Sequence, residues 1–135
     1  MSGTVLFISP HQADAGALAE MLAATPLSLD HAPDIREARE KLLRGSYGVI
    51  LTEAQLPDGA WRDVLELESE VGVFPAVVVT SRLADDRLWA EVLSLGAYDL
   101  LVQPFDQGEA RRILANACAQ GPKHCGKTQV ASAAR

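Results

Sequence analysis

Apolar residues fall along this chain in short blocks: "TVLFIS" at 4–9, "GVILTE" at 48–53, "PAVVVTS" at 75–81 and "DLLVQ" at 99–103, with a weaker alternating block, "LSLDHA", at 27–32. Unbroken apolar cores suit strands of a parallel sheet covered on both faces, and the alternating block suits an edge. Between the blocks, apolar positions recur at helical spacing: Ala15, Leu18 and Leu22; Ile35, Ala38 and Leu42; Trp61, Val64 and Leu65, with Leu67 off the stripe; Leu88, Val92 and Leu95; Ile113, Leu114 and Ala117. These intervals predict five helices. Asp34 with Glu37 forms a capping-box pattern, Asp85 and Asp86 support a helix start, and Gly96 is a natural stop. Ser9, Pro10 and Gln12 read locally as N-cap, first helical residue and capping-box partner of the first helix.

Five strand–helix units in succession imply right-handed crossovers and helices on both sheet faces. The expected fold is α/β and flavodoxin-like, a doubly wound (βα)5 three-layer sandwich with a five-stranded parallel sheet of order 2-1-3-4-5. Ligands of such sheets sit beyond the carboxyl ends of the strands near the switch point. That directs the search for function to Ser9, Glu53, Thr80 and Gln103. The period is lost in "GPKHCGKTQVASAAR", so one domain is expected over 1–120 and a flexible tail over 121–135.

At 135 residues the chain suffices for one domain with an aliphatic core that needs neither disulfide nor metal. The formal charge of −6 is uneven. Residues 1–120 carry 18 acidic against 9 basic side chains, a net of −9, while Lys123, Lys127 and Arg135 make the tail basic. Such a body repels phosphate backbones, so nucleic acid is not an expected partner. "MSGTVLFISP" lacks a basic leader and its apolar run is too short for a membrane span; a cytoplasmic location without membrane contact is expected. Cys118, His124 and Cys125 lack the paired spacing of a zinc or redox motif and are expected to be incidental.

Three stretches, "YGVILTEAQLPDG", "FPAVVVTS" and "GAYDLLVQPF", fall in order at the ends of three successive strands. In order, spacing and flanking chemistry they resemble the response-regulator receiver domain, over about residues 3–120. The resemblance implies phosphoryl transfer from a histidine kinase to an aspartate, assisted by magnesium. An acidic pair and the acceptor aspartate hold the ion, a hydroxyl binds the phosphoryl group, and a lysine before a cis-proline pairs with it.

Most of those roles fail here. The acidic pair falls on Ser9 and Pro10, which cannot supply the oxygen charge a hard cation seeks. The acceptor falls on Glu53, and the lysine falls on Gln103, before Pro104, where a neutral amide replaces an ammonium. Thr80 keeps the hydroxyl position, although the spacing to Gly96 leaves Ser81 as the alternative. The switch aromatic falls on Leu100. Two readings of Glu53 stay open. It is a solvated strand-end carboxylate, or it reaches about 1.5 Å further than aspartate, imitates a phosphoryl group and holds Thr80 inward.

With these departures the resemblance implies an atypical receiver, not an enzyme, acting as a protein-interaction module in signalling, without phosphorylation, magnesium or other cofactor. Its partners are expected to be proteins such as a histidine kinase or an output protein, or a second copy. The family's partner face is the fourth helix, fifth strand and fifth helix, with Trp89, Tyr98 and Leu100 as candidates; for Trp89 a core or half-buried role competes. The competing function is a phosphorelay receiver that needs magnesium and accepts a phosphoryl group from a histidine kinase at an unconventional site: Glu53, Asp58 or a hydroxyl. A nucleotide or flavin binder ranks third, because no Gly-rich loop or P-loop lysine follows the first strand.

Overall fold

The structure is a computed structural model that describes residues 3–71, 73–83 and 85–120, together with the backbone of Lys123–His124. Five strands, β1 (Gly3–Ile8), β2 (Leu27–Ala32), β3 (Val49–Glu53), β4 (Ala76–Ser81) and β5 (Asp99–Val102), form one parallel sheet of order β2-β1-β3-β4-β5. This is the order expected from the sequence. Five helices of six residues or more accompany it, α1 (Gln12–Leu22), α2 (Ile35–Arg44), α3 (Trp61–Glu66), α4 (Asp86–Ser94) and α5 (Gln107–Gln120), with a one-turn helix at Glu68–Val71 after α3.

The pleat explains the unbroken apolar blocks. Val5, Phe7, Leu51, Val78 and Leu101 point to one face, where Leu18 and Leu22 of α1 and Ala110, Ile113, Leu114 and Ala117 of α5 cover them. Their neighbours Leu6, Ile8, Ile50, Val77, Val79 and Leu100 point to the other, under Ala38 and Leu42 of α2, Trp61 and Val64 of α3 and Val92 of α4. Both faces are covered by helices, so the strand interiors are apolar except for Thr52 of β3, whose buried hydroxyl donates to the Glu53 carbonyl at 3.0 Å. Each fully buried Val, Leu or Phe contributes roughly 1.5–3 kcal/mol by leaving water.

Helix ends follow the local chemistry, with exceptions. The Asp34 side chain accepts from the Glu37 N–H at 2.9 Å, and Asp85 does the same for Leu88 at 2.9 Å. At the end of α4, Gly96 takes φ 101°, with its N–H on the Leu93 carbonyl and that of Ala97 on the Val92 carbonyl. That is a Schellman closure, which a Cβ would strain. Leu67 departs from the expected stripe: it is buried, because α3 stops at Glu66 and a separate turn, Glu68–Val71, resumes on a new axis. Leu95 is the reverse case, 51% exposed where the helical spacing placed it inward.

The last helix ends at Gln120, where the sequence pattern fades. Beyond it the backbone of Lys123–His124 pairs antiparallel with Val73–Phe74. Cys125, the side chain of His124 and the rest of the expected tail lie outside the described residues. No described helix is long and apolar enough to cross a membrane.

Candidate functional site

Because side chains alternate along a strand, the residues two steps past Phe7, Leu51, Val78 and Leu101 emerge on the same face at the carboxyl ends of their strands. Those residues are Ser9, Glu53, Thr80 and Gln103, and all four are buried. Thr80 stands opposite Glu53 in the β3–β4 register. Ser81 falls on the opposite side of the pleat, where its Oγ accepts from the Leu83 N–H at 3.0 Å. Thr80 is therefore the hydroxyl that shares the row with Glu53. The Gln103–Pro104 bond is cis, and Pro10 and Pro104 stand exposed at the rim.

The Glu53 carboxylate is the centre of the row. Ser9 Oγ donates to Glu53 Oε2 at 3.0 Å, and Gln103 Nε2 donates to the same oxygen at 3.5 Å. Ser9 Oγ in turn accepts from the His11 N–H at 3.0 Å. His31 Nε2 lies 2.7 Å from the Ser9 carbonyl oxygen, which can only accept, so the ring donates and holds that strand end in place. Arg82, just past β4, donates from Nη1 to Gln103 Oε1 at 3.0 Å and from Nη2 to both Asp14 oxygens at 3.1 and 3.2 Å.

Several sequence expectations change accordingly. Ser9 is not the N-cap of α1: that position is His11, which makes no side-chain cap bond, because the Ser9 hydroxyl still belongs to the strand end and is committed to Glu53. Glu53 is not solvated, being 8% exposed. Nor does it hold Thr80. The extra methylene carries its carboxylate past the register neighbour toward Ser9 just past β1, and Thr80 Oγ1, fully buried, has no hydrogen-bond partner among the described residues.

Of the partner-face candidates, Leu100 is a core residue at 2% exposure, since it occupies an inward position of β5. Tyr98 is half-buried against the α1/α5 core. Trp89 is 47% exposed, one turn before the buried Val92, so it is half-buried and not a core residue. Cys118 is a free thiol packed beside the core.

The magnesium that the receiver resemblance implies does not fit these residues. Magnesium takes oxygen ligands in an octahedral array, several of them waters, and is anchored by one or two carboxylates that face it freely. This row has one carboxylate, already turned to a serine and an amide, and its outer neighbour is the Arg82 guanidinium. Among the described residues no group of three or more His, Cys, Asp or Glu could hold a metal ion.

Arg82, Asp14 and His31 escaped the sequence reading. Arg82 and Asp14 are 68 positions apart and lie on no apolar stripe, so no periodic signal joins them. A charged residue directly after a strand's last hydroxyl, Ser81, was the one available hint. A second polar cluster, at the β2 edge, was also invisible. Tyr47 Oη donates to Asp30 Oδ2 at 2.6 Å, and Lys41 Nζ donates to Asp30 Oδ1 at 3.3 Å. Burial, followed by the bond to Asp30, pushes the Tyr47 phenol up to about 12. Burial alone would raise the Asp30 carboxyl, but hydrogen bonds from Tyr47, Lys41 and the His31 N–H outweigh it and hold it below its usual range.

Comparison with known proteins agrees with this architecture. The chain is 31% identical over 97 residues to response regulator protein PilR of Pseudomonas aeruginosa, covering 71% of this chain and 22% of that one. It is 27% identical over 105 residues to transcriptional regulatory protein DltR of Streptococcus agalactiae, covering 78% and 47%. It thus spans about a fifth and about half of these relatives' lengths. No family model matches. Among solved structures, the signal receiver domain of a Luxo repressor protein from Vibrio parahaemolyticus superimposes with a TM-score of 0.80 at 19% identity, over 89% of this chain and 92% of the other. The beryllofluoride-activated NtrC4 receiver domain dimer gives 0.79 at 21%, over 87% and 97%.

Proposed function

The chain belongs to the response-regulator receiver domains of two-component signalling, and from that premise we propose that it is an atypical member, a module that binds protein partners without phosphoryl or magnesium control. One observation carries this reading: the carboxylate at the acceptor position is a buried glutamate already engaged by Ser9 and Gln103. Phosphoryl transfer depends on positioning and on neutralising the oxygens that gather negative charge. Here an incoming phosphoryl group meets a carboxylate flanked by Ser9 and Pro10 where the family has its acidic pair, and by the neutral amide of Gln103 where it has its lysine. The protein is then not an enzyme and needs no cofactor.

The competing reading, phosphoryl acceptance at another carboxylate, finds little support at Asp58. Its two oxygens accept from the Ile35 and Arg36 N–H groups at 3.0 and 3.2 Å, so it serves as a second cap of α2. The partner surface that fits best is α4 with β5, where Trp89, Leu93 and Val102 are exposed; a histidine kinase, an output protein or a second copy are the partners in view. Incubation with magnesium and acetyl phosphate, followed by intact-mass and peptide mass spectrometry, tests the reading. No mass shift is expected, and beryllofluoride should leave the tryptophan emission unchanged. An added phosphoryl group on Glu53 or Asp58 overturns it.

A further inference from the structure

A buried carboxylate is stable only when charge and hydrogen bonds compensate it. Ser9 and Gln103 supply neutral donors to Glu53, and the compensating charge arrives indirectly. The Gln103 amide is held at both ends: its Nε2 faces the Glu53 carboxylate and its Oε1 faces the Arg82 guanidinium. That orientation follows from its neighbours, since an amide oxygen cannot face a carboxylate nor an amide nitrogen a guanidinium. The amide dipole therefore lies head to tail between cation and anion. Arg82 meanwhile reaches across to the first turn of α1, where its contact with Asp14 touches both carboxylate oxygens.

We infer that Arg82 is the resident cation of this cleft and a clasp that ties the end of β4 to α1 and to Gln103 just past β5, and so governs how α4 is seated. Arg82 lies four residues before the start of α4, and α4 buries Val92 alone among its described residues. A helix so lightly seated takes its position from its ends, and the clasp governs one of them. The buried Thr80 hydroxyl beside the clasp, left without a partner among the described residues, fits a segment positioned by Arg82 and not by a bond to Thr80.

An isolated exposed ion pair contributes little, about 0–1 kcal/mol, and Arg82 is 53% exposed along its side chain. What sets this residue apart is that a single guanidinium makes three bonds on two other elements. Its removal should therefore act locally. In hydrogen–deuterium exchange on the full chain, Arg82→Ala is expected to speed exchange roughly threefold to tenfold in peptides spanning the β4–α4 connection and the first turn of α4, leaving the β2 edge at the wild-type rate. Asp14→Asn, which preserves shape, should reproduce a weaker version of the same local change, and 0.5–1 M salt should move the wild-type protein toward Arg82→Ala. Unchanged exchange in Arg82→Ala, a rise spread evenly over the chain, or a local rise that Asp14→Asn fails to share would each overturn the clasp. Phosphoryl labelling plays no part in this measurement, so the reading of the protein as non-phosphorylated stands or falls separately.

Discussion

Helices α5 and α4 occupy equivalent layers on opposite faces of one sheet, yet they are held differently. The first buries Ala110, Ile113, Leu114 and Ala117 against β1, β3, β4 and β5. The second buries Val92, tucks Leu88 partly under, and leaves Trp89, Leu93 and Leu95 44–51% exposed. Compensation comes at its ends and flank: the Asp85 cap, the Gly96 closure, and an ion pair between Glu91 and Arg62 of α3. A helix seated by its stripe moves only if the core opens, whereas one seated by its ends can move with its connecting segments. Of these two helices, then, the one that exposes more large apolar side chains is also the one that buries fewer.

The sharpest test of that contrast is truncation of each helix's central anchor. Leu114→Ala should lower the unfolding free energy by about 2–5 kcal/mol, read from the urea midpoint at unchanged slope. Val92→Ala should lose less, about 1–3 kcal/mol, with faster amide exchange concentrated in α4. Equal losses at the two sites, or equal spread of exchange, would erase the distinction.

Alkaline titration probes the opposite edge of the sheet, at β2. Tyr47 has a folded-state value of about 12 against an ordinary 10.0, so the stability it supports is complete below pH 10 and drains away as pH rises toward 12. Asp30 behaves in mirror image: its value is lowered, so its contribution holds above the ordinary 3.8 and is lost as pH falls through the folded value. Exchange near β2 and α2 should therefore rise between pH 10 and 12, and Tyr47→Phe should flatten that dependence. A response centred on α4 instead would show that the two regions are not independent.

The smallest effect is expected from Trp89→Ala, within about 1 kcal/mol of wild type, because the residue is 47% exposed and fills no part of the core. A loss above 2 kcal/mol would mean that α4 is seated by its outer face as well. If Trp89 serves a partner, binding should suffer while the melting temperature does not.

Strands, crossovers and sheet order were legible because period-two and period-3.6 patterns record which side of each element faces the core. Phe7, Leu51 and Val78 announce a buried face whatever lies opposite them. The candidate row was legible for the same reason: Ser9, Thr80 and Gln103 are the first polar residues after apolar runs, and Glu53 is the first charged one, directly after Thr52. Their connections were not. Ser9 fits a helix cap by local rules, and nothing adjacent in the chain reveals that its hydroxyl is claimed by Glu53, 44 positions away. Leu95 and Leu67 exchanged their expected environments because a helix's stripe rotates wherever the helix breaks or stops.

By itself the sequence determined a five-strand parallel sheet with helices on both faces and a strand-end row that lacks two carboxylates and a lysine, since periodicity and residue chemistry are local properties. Only the tertiary structure decided that Glu53 turns to Ser9, that Thr80 is left without a partner among the described residues, and that Arg82 bridges Asp14 and Gln103. Those choices depend on distances between segments dozens of residues apart, which side-chain length and strand register set only after the chain has folded.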